Sequence, residues 1–555
     1  MLPPELSQQF QSLIQLGQID RLIDVLQDAA RTYPQEADIR HLLGWARTQQ
    51  GRFDEAITHF REAVRLNPHA AGSLNNLGLL LLDQERQGEA LQAFKAAVAA
   101  QPAYVDALTN LSLTLARVGF FEHALPFLNE ALRLDPQCAD AHHYLGYVCM
   151  SLNRLPEAEH HLTLALQLRP RAAGFLSSLG LLREKQHRAE EATALFQQAV
   201  DSDPTIAEPW NNMGNIQAAV WGNYDLALRY FEKTLALRPL YAEAKYHHGM
   251  VELTLGHFDR GWAGYEFRPT TLQKSKERYG RPRWQGEPLA GRTILLHCEQ
   301  GLGDTFQFIR YAQHVKNLGA TVLCEVQKPL LQILTRTPGM HTLIEQGAAL
   351  PPHDLQIPLL SVARLLGIPE KQPPYLFASE ERLAFWKDRI AQIPGFKIGI
   401  AWQGEPAFKY DWLRSVPLAQ FTPLARLPGH SLISLQKHQG LDQIAANRQT
   451  VPVIELQPEI DTAAGPFMDT AAIMMHLDLV VTSDSAIAHL AGGLGVPVWL
   501  ATSYAPDWRW MKDRDDSPWY PTMRLFRQTQ VAHWEDVFTR MAAVLSSSPS
   551  PSPQP

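Results

Sequence analysis

Prolines stand at positions 34, 68, 102, 136, 170 and 204, a spacing of 34 residues kept five times in succession. The next, Pro239, comes one residue late, as a single insertion around Val220–Asn223 would make it. Other positions keep the same beat. Gly44, Gly78, Gly146, Gly180 and Gly214 recur, Gly249 follows the insertion, and Ser112 fills the slot once. Twelve residues after the slot comes Ala56, Ala90, Ala124, Ala158, Ala192 and, with the insertion counted, Ala227. Four further on stand Phe60, Phe94, Leu128, Leu162, Phe196 and Phe231. A fixed period of this length means one supersecondary unit copied along the chain. The small residues let two antiparallel helices approach, the large apolar one fills the gap between them, and proline closes the unit. One such pair cannot bury its apolar face alone, so stacking has to supply the core.

The pattern resembles the tetratricopeptide repeat, over about residues 7–265, and implies an all-α superhelix of about seven repeats, assigned to residues 1–268. The end units are atypical, with Leu22 and Gly261 in the alanine position. That suits repeats with one side facing solvent or another domain. The aromatic-rich stretch Gly256–Glu266 is expected to dock onto the domain C-terminal to it. In such arrays the first helix of each unit lines the concave face. Asn76, Asn110 and Asn212 sit there, two residues before the small slot, with Asn75 and Asn211 beside two of them. A side-chain amide offers both donor and acceptor to a main chain of any sequence. This ladder resembles the repeat domain of O-GlcNAc transferase and implies a protein or peptide in the groove. Ordinary polarity on a solvated groove is the other reading, because Leu42, Tyr144, Ser178 and His247 break the ladder. The pairs His142-His143, His160-His161 and His247-His248 read as surface polarity, since adjacent helical residues point about 100° apart and do not share an ion easily.

After a connector at 269–291, rich in charge, proline and glycine, the pattern changes to short apolar runs alternating with amphipathic stretches. Strands are expected at Thr293–Cys298, Thr321–Val326, His341–Glu345, Lys397–Trp402, Ser431–Gln436, Pro452–Leu456, Leu479–Thr482 and Val498–Ala501. Helices are expected at Asp304–Leu318, Glu380–Ile393, Leu418–Leu427, Asp469–Leu477, Ala486–Leu494 and Trp534–Leu545. This alternation argues parallel sheets covered on both faces. Two Rossmann-like lobes, 292–378 and 379–545, would face each other across a cleft, and a Ser/Pro-rich tail at 546–555 is expected to be disordered.

Composition narrows the function. Fifty Lys+Arg against 57 Asp+Glu leave a net charge of −7, which removes the electrostatic case for nucleic-acid binding. Four cysteines (Cys138, Cys149, Cys298, Cys324) and no CxxC pair exclude a disulfide scaffold and leave no sign of structural zinc. Met1–Glu5 has neither a basic nor an apolar leader character, and no uncharged apolar run reaches the roughly 18 residues of a membrane span. A cytoplasmic protein without a transmembrane segment is expected.

Three segments carry candidate chemistry. In Thr293–Thr305 a strand runs into Gly301-Leu302-Gly303 and a helix opens near Asp304. The glycines permit backbone approach to a ligand, and ligands of open α/β sheets bind at the carboxyl ends of strands. Asp304 can also be read as a helix N-cap. In Ile398–Ser415 a strand opens into a polar loop holding Gln403, Lys409 and Arg414, cations suited to a diphosphate or simply a solvated loop. In Leu479–Val498 a strand delivers Ser483-Asp484-Ser485 to the mouth of a helix begun by Ala486, where backbone N–H groups favour an anion. His489 lies one and a half turns on. It could reach the site or pack inward. The aromatics of Pro506–Thr522 suit stacking on a base or sugar, or a hydrophobic plug; Asp513-Arg514-Asp515 reads formally as DxD without the expected strand context.

Glu299-Gln-Gly-Leu-Gly-Asp304 and Thr482–His489 with Leu490–Pro497 resemble the two halves of an ADP-heptose:lipopolysaccharide heptosyltransferase-type domain (glycosyltransferase family nine), over about residues 290–545. The combined chain resembles bacterial fusions of tetratricopeptide repeats to such a domain. The resemblance implies a GT-B fold, an ADP-, GDP- or UDP-linked sugar as donor substrate rather than a cofactor, and inversion without a metal. Carried over, Asp304 is the general base on the acceptor hydroxyl. Gly301, Gly303, Gln403, Ser483, Asp484, Ser485, Ala486 and His489 then contribute to the donor site, with Lys409 or Arg414 neutralising the leaving diphosphate. A protein or a glycan acceptor, recruited by the repeats, completes the enzyme reading. The alternative is an interaction scaffold carrying a degenerate sugar-nucleotide module. Ser485 stands where the family more often has threonine, and residues 293–375 make a short first lobe.

Overall fold

The computed structural model describes residues 3–269, 278–369, 374–456, 458 and 460–547. Part of the expected connector (270–277) and most of the expected disordered tail (548–555) lie outside the described residues. The chain forms two compact units, divided between Pro209 and Trp210.

The first unit is helical, from Pro4–Gln15 to Ala189–Ser202. From Ala37–Gln49 onward its helices alternate between 13 and 14 residues. Proline sets that register. A residue preceding proline is pushed out of the α region, and Asn67, Gln101, Asp135 and Asp203 all close their helices in extended conformation, with ψ of 90–98°. The small slot works as its position suggests. A Cβ added at Gly78, Gly146 or Gly180 would lie 2.6 Å from Phe94, Leu162 or Phe196. At the exceptional slot Ser112 is fully buried, and its hydroxyl donates to Leu108 O at 2.8 Å. Gly78→Ala should therefore destabilise this unit by about 1–3 kcal/mol through overpacking. Gly88→Ala, with nothing within 4 Å of the new methyl, should instead stabilise it by roughly 0.5–1 kcal/mol. Thermal unfolding of the two variants checks the contrast.

Of the paired histidines His160 is exposed as expected, but others are drawn inward. His142 is buried, its Nδ1 lies 3.1 Å from His161 Nδ1, and the two rings stack. His143 shares a 2.8 Å hydrogen bond with Ser178 of the next unit. Burial lowers both His143 and His161 to about 4, so they pack as neutral rings.

The second unit opens with repeat helices, including Tyr224–Leu237, Ala242–Thr254 and Phe258–Tyr265. In the last pair the backbones touch, since a Cβ on Gly249 would lie 2.7 Å from Gly264. The aromatic end docks as expected. Trp262 and Tyr265 pack against Trp508 at centroid separations of 5.2 and 5.4 Å and share one core with Trp284 and the sheet residues Ile294 and Leu296. Arg268, fully buried, fastens this end. It donates to Glu299 Oε1 (2.5 Å from Nη2), to Ser361 Oγ (2.6 Å) and to Tyr265 O (3.0 Å).

Two wholly parallel sheets come next. The first holds β1 (Thr293–His297), β2 (Thr321–Val326), β3 (Thr342–Glu345) and β4 (Leu355–Pro358) in the order β3-β2-β1-β4. The second holds β5 (Phe396–Ala401), β6 (His430–Ser434), β7 (Val453–Ile454), β8 (Leu479–Ser483), β9 (Val498–Thr502) and β10 (Met523–Arg527), in the order β10-β9-β8-β5-β6-β7. The order reverses between β5 and β8, where open α/β sheets leave a crevice. The helix expected over Asp304–Leu318 is two helices, Leu302–Phe308 and Tyr311–Asn317. Arg310 at the break is buried, donating to Trp519 O and Tyr375 Oη, which draws this position into the core. No helix among the described residues is long and apolar enough to cross a membrane.

Candidate functional site

A cleft of about 740 Å³ opens at the carboxyl ends of β1, β5, β6 and β8. Of the residues singled out in the sequence, it brings together Gly301, Gly303 and Asp304 after β1 with Gln403 and Arg414 after β5. After β8 it adds Asp484, Ser485, Ala486 and His489. Lys409 borders an adjoining chamber, shared by Arg414 and Asp484. Ser483 is buried behind the cleft wall and does not line it; its Oγ reaches no hydrogen-bond partner among the described residues. Asn76 and Asn110 belong to the first unit, where Asn110 Nδ2 donates to Asn75 Oδ1 at 3.0 Å, so part of the ladder bonds to itself across repeats. Asn212 lines neither cavity, whereas Asn215, nearly one turn on, borders the chamber.

Asp304 is not the N-cap but the third residue of the Leu302–Phe308 helix. Its Oδ2 accepts the Gly301 N–H at 2.8 Å, the back-reaching half of a capping box. Its Oδ1 accepts from Arg509. Burial raises the Asp304 pKa, and the Arg509 guanidinium opposes that rise. Gly303 has a packing role as well: a Cβ there would come 2.8 Å from the His489 ring. His489 in turn shares a 2.8 Å hydrogen bond with Tyr520 Oη and stacks on Trp510. Burial holds its pKa well below the ordinary value, so it faces the glycine loop as a neutral ring.

Across the cleft, Ser485 caps the Ala486–Leu494 helix in extended conformation. Asp484 is pushed up to about 6, first by burial and then by the Asp507 carboxylate, with Arg414 and Arg509 opposing. Arg414 donates to Asp411 Oδ1 at 3.0 Å and lies 4.4 Å from the Phe408 ring centroid. A Cβ on Gly404 would sit 2.9 Å from its guanidinium, so a larger residue there would push the Arg414 side chain aside.

Sequence reasoning missed Asp507, Arg509, Lys437 and His438, all of which line the cleft. Arg509 is the hub. Besides Asp304 it donates to Asp507 Oδ1 (2.9 Å) and Gln307 Oε1 (2.7 Å), and its guanidinium lies 4.4 Å from the Trp508 ring centroid. The only signal was a charge between two tryptophans, Trp508-Arg509-Trp510, in a segment otherwise fit for a core. Between stacking platform and plug, the structure favours the plug. Trp508, Trp510, Trp519 and Tyr520 are all at most 2% exposed, and of these only Trp508 borders the cleft. Asp513 and Asp515 lie on an exposed loop. Among the described residues no group of three His, Cys, Asp or Glu is placed to hold a metal. Asp469, close to the third motif, serves packing: fully buried, it accepts from Arg382 Nε (2.6 Å) and Trp386 Nε1 (2.7 Å).

The family profile described as tetratricopeptide repeat matches residues 8–71, 41–105, 109–170, 151–205 and 222–261. The N-terminal region is a tetratricopeptide-repeat array. Its repeats belong to a protein-interaction class, and they extend into the second unit. Protein FlbA of Caulobacter vibrioides is 25% identical over 421 residues, covering 65% of this chain and 70% of that protein. Among solved structures, a tetratricopeptide repeat protein from Parabacteroides merdae is 16% identical, with a TM-score of 0.39, over 44% of this chain and 97% of its own. A thermophilic repeat protein of Thermus thermophilus is 28% identical, with a TM-score of 0.28, over 36% of this chain and 99% of its own.

Proposed function

We propose that the α/β region transfers a sugar from a nucleotide-sugar donor to a protein or glycan acceptor recruited by the repeat array, as a metal-independent inverting glycosyltransferase of GT-B type. The observation that carries this reading is the meeting of Asp304, from the end of β1, with Asp484, Ser485 and Arg414, from the reversal point of the second sheet, in one cleft. Displacement at an anomeric carbon needs a base on the acceptor side and positive charge on the leaving phosphate. Asp304 is the base, and burial already raises its proton affinity. The N-terminus of the Ala486–Leu494 helix offers backbone N–H groups to the diphosphate, and Arg414 and Lys437 supply cations beside it. Asp484 then accepts hydroxyls of the donor sugar.

The second reading, an interaction scaffold with a silent α/β module, draws on the Arg509–Asp304 ion pair, which occupies one oxygen of the base. Titration calorimetry of the full chain with ADP-, GDP- and UDP-sugars separates the two. Saturable binding of one nucleotide class, weakened about tenfold or more by Arg414→Ala, is expected, since losing a charge-assisted contact costs about 1.5–3 kcal/mol. No binding to any of them would leave the scaffold.

A further inference from the structure

The cleft has a side chamber of about 380 Å³, within the volume range of about 300–1,000 Å³ typical of small-ligand sites. On one side stand repeat helices, through Asn215, Tyr224, Tyr246 and His247; on the other stand the Phe408–Arg414 segment and the stretch after β9. Chamber and cleft share Tyr246, Met250, Asp484 and Asp507, so they adjoin. Ala218, Ala219, Phe231 and Val251 make an apolar part of the wall, and Glu243, Lys409, Arg414, Asp484 and Asp507 give it charge of both signs.

Two polar atoms in this wall are left over. Tyr224, 6% exposed, and His247 present Oη and Nδ1 that are buried and reach no hydrogen-bond partner among the described residues. A buried polar group without a partner costs about 1–3 kcal/mol, so both atoms stand ready to bond a ligand that enters the chamber. Both groups are uncharged at neutral pH, burial pressing His247 down to about 3 and raising Tyr224. At these two atoms neutral donors and acceptors suit an amide.

We infer that the chamber is an acceptor subsite, holding one apolar or aromatic side chain of a polypeptide whose backbone amide bonds to Tyr224 and His247. The neighbouring residue would then enter the cleft with its hydroxyl on the Asp304 side. The inference rests on the glycosyl-transfer reading for the reaction, and on the chamber alone for the binding.

The test uses the full chain and four probes: N-acetyl-phenylalanine amide, N-acetyl-leucine amide, N-acetyl-lysine amide and octyl glucoside, followed by saturation-transfer NMR. The two apolar amides should bind saturably and the lysine amide about tenfold more weakly. Ala218→Trp, which fills the chamber, should abolish their binding, and Tyr224→Phe should weaken it about tenfold, the loss of one well-made buried hydrogen bond. Circular dichroism and the thermal midpoint confirm that each variant is folded. Should Ala218→Trp fail to fold, Tyr224→Phe and competition between the two apolar amides carry the test. Binding unaffected by both variants, binding of octyl glucoside but no amide, or no binding at all would overturn the assignment. Nucleotide-sugar titration of the same wild-type sample reports separately on the cleft, so failure of the chamber and failure of the donor reading are distinguishable.

Discussion

Asp304→Asn should lower sugar transfer about 10²- to 10⁴-fold, the usual worth of a positioned general base, while nucleotide-sugar binding persists. The substitution is chosen to isolate the proton. Asparagine keeps the shape, and its amide oxygen can still accept the Gly301 N–H that Asp304 Oδ2 accepts at 2.8 Å. Arg509 is not stranded by the loss, because Asp507 Oδ1 and Gln307 Oε1 continue to accept from it. Asp507→Asn is the matched control: it removes a carboxylate from the same guanidinium but leaves the base in place, so its effect on turnover should be much the smaller. Release of free nucleoside diphosphate with an acceptor protein reads both variants. Full transfer by Asp304→Asn would remove Asp304 from the mechanism.

Arg268→Met should destabilise the second unit by about 3–5 kcal/mol, the range for breaking a buried ion pair from one side. Arg268 is fully buried and the Glu299 side chain 4% exposed, so the carboxylate left behind loses its guanidinium where water cannot replace it. Restoring neutrality should recover most of the loss, as in Arg268→Met combined with Glu299→Leu. Denaturant unfolding followed by tryptophan fluorescence measures both, because Trp262, Trp284 and Trp508 report on this core. A single variant as stable as the parent would mean that the ion pair contributes nothing net.

The repeats are legible in the sequence because their physics is local. The glycine slot and its phenylalanine are 16 residues apart, and the prolines act on the residue just before them. The eight expected strands form close to their expected places for a similar reason, as apolar runs bounded by polar loops. The two that were not expected are both edge strands. β4 is four residues ending in Pro358, and β10 (Met-Arg-Leu-Phe-Arg) carries two arginines; proline and charge are the marks of an edge rather than of a central strand. The motif residues of the cleft were found because strand-end glycines and a helix mouth leave a trace in sequence. Arg509 left almost none. Its partner Asp304 is 205 residues away, and no period or spacing connects them. The same holds for Arg382 and Asp469, 87 residues apart, and for the chamber wall, where Tyr224 and His247 look like ordinary repeat residues.

The shared core of Trp262, Tyr265 and Trp508 says where this gene could be cut or lengthened. Whole 34-residue modules upstream of residue 210 can be gained or lost with that core intact, because none of its members comes from there. An α/β fragment started at residue 266 would instead strip the cover from Trp508 and one wall from the side chamber. Repeat number can thus change without touching this core, whereas the final pair of helices and the α/β region share it.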